Sequence, residues 1–150
     1  MPWKTTLERS KKDKEEGKAP STQAGEFVHE EIEHIRRGKH GARSTKQAIA
    51  IGLSKARRAG VKLGPPKPGA ASARTRKQAQ RDLAKGQSDR KSSAKRSAAS
   101  ERALKREPRS TVSHAALSKQ AKSTARKRSK AFRRQAAKKA AFTRQRGRAA

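Results

Sequence analysis

The larger apolar side chains are unevenly spread along the chain. Of 18 such residues, 9 fall in the 39 positions from 26 to 64. Val28, Ile32 and Ile35 recur at i, i+4 and i+7 with Phe27 beside them, the stripe of an amphipathic helix. Arg36-Arg37-Gly38 closes that stripe with a cationic last turn and a glycine, as helix C-termini prefer. After a short loop from Lys39 to Arg43, Ser44 and Gln47 have the spacing of a capping box. Ile49, Leu53 and Ala56 then repeat at helical spacing, Arg57 and Arg58 suit the negative end of the helix dipole, and Gly60 with Val61 fits a Schellman stop. The pattern predicts an αα-hairpin over about 26–60, with Val28, Ile32 and Ile35 packed on Ile49 and Leu53. So small a unit is at the lower limit of independent stability, and self-association through the hairpin would help hold it.

Outside this segment the pattern fades. Residues 1–25 are polar and mixed in charge and read as a flexible leader; Trp3 and Leu7 share one face only if it turns helical. Pro65-Pro66-Lys67-Pro68-Gly69 closes the hairpin module at 26–64. Beyond it, Leu83, Leu104, Val112, Leu117, Phe132 and Phe142 are the larger apolar residues in a background of Ala, Lys, Arg, Ser and Gln. Residues 65–112 read as a linker and 113–150 as a basic tail, helix-prone by its alanine, lysine and arginine. Like charges oppose that helix until phosphates relieve them, so the tail is expected to fold on binding. The expected fold class is therefore mostly disordered and otherwise all-α: a small two-helix hairpin with a long basic, conditionally helical tail.

Composition supports that expectation. Hydrophobic residues are 30% of the 150, but 27 of them are alanine. An ordinary domain is about 45–50% apolar, so a single large enzyme core is excluded by lack of material. Lysine and arginine number 42 against 12 acids, a net charge of +30. The charge is partitioned: −2 over 1–33, +9 over 34–64 and +23 over 65–150. Such asymmetry marks a basic arm that meets nucleic acid or another anionic surface. With no cysteine, disulfides, zinc ribbons and thiol catalysis are excluded. The longest uncharged apolar stretch, residues 47–54, is far short of the ~20 residues a membrane span needs. No signal sequence opens the chain, and an intracellular, cytoplasmic and nucleoid-associated place (nuclear in a eukaryote) is expected.

The segment Ser44–Gly60 with Glu26–Glu30 resembles a small bacterial family of unknown function, whose second helix runs S-x-K-Q-A-I-A-I-A-L-S-E-A-R-x-A-G. Gly52 and Lys55 depart from that pattern, standing where it has a small residue and an acid. The resemblance implies a two-helix module and brings no activity or site residues. From residue 67 on, the composition resembles the Ala/Lys-rich tails of linker histones and of bacterial histone-like proteins, with more arginine and fewer prolines.

The candidate chemistry is phosphate contact, which needs only charge and reach. On the second helix Arg43, Lys46, Lys55, Arg57 and Arg58 are candidates for backbone phosphates, with Gln47 for a base edge. In the tail the candidates are Arg126, Lys127, Arg128, Lys130, Arg133, Arg134, Lys138 and Lys139. HEEIEH at 29–34 is not a zinc-protease motif, because Glu33 stands where the second histidine must be. His29–Glu33 and Glu30–His34 read instead as i, i+4 surface pairs, and no metal or other cofactor is expected. Serines lack a nucleophile-elbow context and no phosphate-binding glycine loop is present, so no enzyme is expected. The function expected is largely sequence-independent DNA binding, histone-like, through charge neutralisation and compaction. The alternative is an RNA- or ribosome-associated basic protein; a coat on anionic membranes is a third reading, with only Phe132 and Phe142 to carry it.

Overall fold

In a computed structural model describing residues 2–88 and 93–148, helices dominate from end to end. They are α1 (Lys4–Glu15), α2 (Pro20–Arg36), α3 (Thr45–Arg58), α4 (Ala73–Gly86), α5 (Ala94–Lys105), α6 (His114–Arg126) and α7 (Lys130–Arg148), with a 3₁₀ turn at Ser110–Val112. No β-strand occurs among the described residues. The chain forms two compact units, Met1–Ser113 and His114–Ala150. The expectation of a mostly disordered chain, with order confined to a two-helix hairpin, is therefore overturned. The stretch read as a linker carries α4, α5 and the 3₁₀ turn, apart from 89–92, which lie outside the described residues.

The predicted pair of helices is present at the centre of the first unit as α2 and α3, and its punctuation is as read. Ser44 Oγ accepts from the Gln47 N–H at 3.2 Å. Gln47 Oε1 reaches back one residue further than a capping box requires, to the Arg43 N–H at 2.7 Å. At the other end Gly60 has φ +91°, the left-handed conformation that favours glycine. Its N–H reaches the Arg57 carbonyl, and the Val61 N–H reaches that of Ala56, both at 3.1 Å, which makes a Schellman motif. Gly38 stops α2 in the same way, through Ile35 and His34.

The packing between the two helices differs from the one expected. The residues of α3 that become fully buried are Ala48 and Ala56, with buried Gly52 between them. Ile49 and Leu53 are only partly buried. Ala48, Gly52 and Ala56 are spaced i, i+4, i+8, a stripe of small residues on one face. It lets the backbones meet: a Cβ on Gly52 would lie 2.6 Å from Val28 Cα and 3.0 Å from Phe27 O. Two small cores flank this contact. One joins Ala24, Phe27, Ala56 and Val61; the other joins Ile35, Ala42, Ala48 and Val112. Val112 arrives from the 3₁₀ turn, where Thr45 Oγ1 donates to the Thr111 carbonyl at 2.6 Å and Thr111 Oγ1 donates to that of Ala42 at 3.0 Å.

Outer helices dock through polar faces. The leader read as flexible contains α1, which buries Thr6, Ser10 and Asp13 and leaves Leu7 41% exposed. Helix α2 itself begins at Pro20, a favoured first helical position, eight residues before Val28 opens the apolar stripe. Helix α4 buries Ala79 and Asp82 against α3; Asp82 accepts from Ser54 Oγ (2.6 Å), Arg58 Nε (2.9 Å) and Gln78 Nε2 (3.2 Å). Buried polar groups with partners stand in for the missing bulky apolar ones, and an apolar census does not count them.

Two glycine substitutions test the close contact by urea denaturation. Gly52→Ala should lose about 1–3 kcal/mol despite alanine's better helix propensity, because its methyl meets fixed backbone. Gly25→Ala, with nothing within 4 Å of its Cβ, should gain about 0.5–1 kcal/mol.

Candidate nucleic-acid interface and a buried histidine–carboxylate cluster

The predicted phosphate-binding residues fall into two groups. Arg43 and Lys46 stand exposed at the start of α3. The other cations of α3 have partners within the unit, Arg58 with its side chain 49% exposed. Arg57 is 7% exposed, and its guanidinium donates to the carbonyls of Leu63 (3.0 Å) and Gly64 (3.4 Å), tying down the segment after the helix. Arg58 grips Asp82 and Ser54. Lys55 points to Glu31, 2.6 Å from its Oε2. Gln47 is occupied in the cap.

In the second unit Arg126, Lys127, Arg128, Lys130, Arg133, Arg134, Lys138 and Lys139 are all exposed. Here too the expectation is corrected, because the tail is helical without a ligand. Alanine, arginine, lysine and glutamine have high helix propensity, and Ser129 Oγ accepts from the Phe132 N–H at 3.2 Å at the start of α7. These gains outweigh like-charge repulsion of a few tenths of a kcal/mol per i, i+4 pair. At ~100° per residue, Lys119, Lys122 and Arg126 form one stripe on α6. Lys130, Arg133, Arg134, Lys138 and Arg144 occupy roughly 140° of α7 by the same geometry. From His114 onward the sequence contains no acid. Arg128 lies over the Phe132 ring, 5.0 Å from its centroid.

A second constellation sits inside the first unit. Glu30 and Glu31, adjacent on α2, are 1% and 0% exposed. Glu31, His34 and His40 bring one oxygen and two ring nitrogens within 4.8 Å of one another. His34 is one turn along α2 from Glu31; His40 comes from the loop before α3. His40 Nδ1 lies 3.1 Å from the Gly41 carbonyl, and its Nε2 lies 3.3 Å from Glu31 Oε1. That loop is fastened by the Gly41 N–H to the Leu104 carbonyl (2.8 Å) and by the Ala42 N–H to the Pro108 carbonyl (3.0 Å). Lys55 Nζ, close to Glu31, is also 3.5 Å from His34 Nδ1. The Trp3 backbone N–H donates to Glu30 Oε2 at 3.0 Å, and the Trp3 ring meets His34 edge-on at 4.7 Å. Neither Glu31 oxygen has a partner with hydrogen-bond geometry, despite the close approach of Lys55; Glu30 Oε1 and His34 Nε2 also lack one. His34 and Glu30 are thus buried rather than a surface pair, and HEEIEH acquires a third donor that its spacing could not reveal. His29 remains exposed.

Residues 17–68 match the model of a family of unknown function (DUF6496). The match spans α2, α3 and the loop carrying His40, and leaves α1, α4 and all that follows outside. No curated protein and no solved structure matches the chain. The resemblance to an uncharacterised family is supported to that extent; DNA binding, nucleoid association and the likeness of the tail to histone tails gain nothing from it. No helix among the described residues is long and apolar enough to cross a membrane.

Burial, then the charges of Lys55 and Lys39, push the His34 imidazole from 6.5 down to about 4, with Glu30 opposing and His40 adding to the fall. The unfolded chain therefore takes up this proton at a higher pH than the folded one. The stability is complete above pH 6.5 and is lost as pH falls toward 4. Urea midpoints measured with a chelator present should fall between about pH 7 and about pH 5, and fall less in His34→Gln.

Proposed function

We propose that the protein binds duplex DNA with little sequence preference, by phosphate neutralisation. The observation that carries this reading is the second unit, His114–Ala150, in which cations are exposed on preformed helices and the sequence contains no Asp or Glu. Each cation laid against a phosphate releases condensed counterions, and that entropy drives association without base contacts. Preformed helices lower the ordering cost that a disordered tail would meet on binding. Arg43 and Lys46 at the head of α3 offer a smaller cationic patch on the first unit. Lys55, Arg57 and Arg58, engaged within the fold, are not part of the proposed interface. An RNA-associated role shares the same electrostatics, and a second polymer in the same titration separates the two.

Affinity for a mixed-sequence DNA duplex should fall steeply between about 50 and 200 mM salt. Replacing Lys130, Arg133 and Arg134 with glutamine should lower the log–log salt slope by about 0.9 for each phosphate left without its cation. A flat salt response would sink the reading; a much tighter complex with an RNA duplex of equal length would turn it to RNA.

A further inference from the structure

We propose that Glu31, His34 and His40 form a binding site for a single divalent transition-metal ion of the zinc class. His40 gives the first argument. The Gly41 carbonyl can only accept, and the 3.1 Å contact to it has hydrogen-bond geometry where the contact to Glu31 has none, which favours the tautomer with its proton on His40 Nδ1. In the neutral ring Nε2 then carries a lone pair, and it faces Glu31 Oε1 at 3.3 Å. Two acceptors confronting one another in a buried place require a positive centre between them. Metal-bound imidazoles also commonly have their far N–H fixed by a backbone carbonyl, as His40 does.

Distance gives the second argument. Metal bonds of about 2.0–2.1 Å at tetrahedral angles put neighbouring donors about 3.3 Å apart. The Glu31 Oε1–His40 Nε2 separation is 3.3 Å. A nitrogen of His34 lies within 4.8 Å of these donors. Lys55 stays on the other Glu31 oxygen, Oε2, and 3.5 Å from His34 Nδ1, a neighbour of two of the three ligands.

Charge gives the third. Glu30 and Glu31 place two carboxylates out of water, and among the described residues Lys55 is the one ammonium within ion-pair distance of either, Lys39 acting on His34 from further off. Two imidazoles and one carboxylate select zinc, cobalt or nickel over magnesium or calcium, which prefer oxygen donors. A bound ion would tie the His40 loop to α2. The rival occupant is a proton on His40.

Titration of the full chain with Co²⁺, then Zn²⁺, tests this. Expected are one ion per chain, the visible bands of four-coordinate Co²⁺, and quenching of the emission of Trp3, whose ring is 4.7 Å from that of His34. Zn²⁺ should displace the cobalt and raise the melting temperature. His40→Gln should bind at least tenfold more weakly, while His29→Gln should bind as the parent does. Failure of Co²⁺ to saturate at one per chain, or saturation that leaves Trp3 emission unchanged, overturns the proposal whether or not the His40 variant folds. Equal affinity in a folded His40→Gln chain overturns it as well, leaving a protonated His40 as the cation.

Discussion

The rest of the first unit depends on the close approach of α2 and α3 at Gly52. A chain with so few bulky apolar residues cannot fill a wide gap between helices. It closes the gap instead, with Ala48, Gly52 and Ala56 against the backbone of Phe27 and Val28. Dispersion between closely packed backbone and methyl groups then replaces part of what larger side chains would supply. Phe27 and Ile35, the largest buried apolar side chains, lie in separate small cores along the same helix pair.

Acids supply the second part of the cohesion. Asp13, Glu30, Glu31 and Asp82 are buried, and Glu16, Glu26, Glu33 and Glu101 are in ion pairs. A buried carboxylate costs several kcal/mol unless cations and donors surround it. Asp82 meets that demand with three donors from α3 and α4. Glu31 meets it in part, which is why the cluster around it invites a further cation. Asp13, Glu30, Glu31 and Asp82 thus serve the interior of the first unit, while the residues from His114 on contain no acid.

Much of the central pair was legible in the sequence. Ser44 with Gln47, Gly38, and Gly60 with Val61 are local signals, and each stops or starts a helix as local chemistry demands. The facing residues were misjudged because apolar periodicity weights Ile49 and Leu53 and is blind to an alanine–glycine stripe. Helix α1 escaped because the stripe it buries is Thr6, Ser10 and Asp13, which reads as surface. The order of the segment after Pro68 escaped because composition reports the lack of a large core, while Asp82 and Val112 each dock by one specific set of contacts. His40 joins Glu31 and His34 only through the fold of its loop, which no spacing encodes. The surplus of cations at the C-terminal end was plain from the start; that it rides on formed helices was not.

The central claim is that the residues up to Ser113 make a self-sufficient fold, while those from His114 on supply the proposed affinity for DNA. The most direct measurement compares the full chain with one ending at Ser113, by DNA titration and thermal melting in the same buffer. The shorter chain should keep an unchanged cooperative melt and lose most of its DNA affinity and salt dependence. A shorter chain that binds DNA as tightly as the full one, with the same salt slope, would contradict the claim.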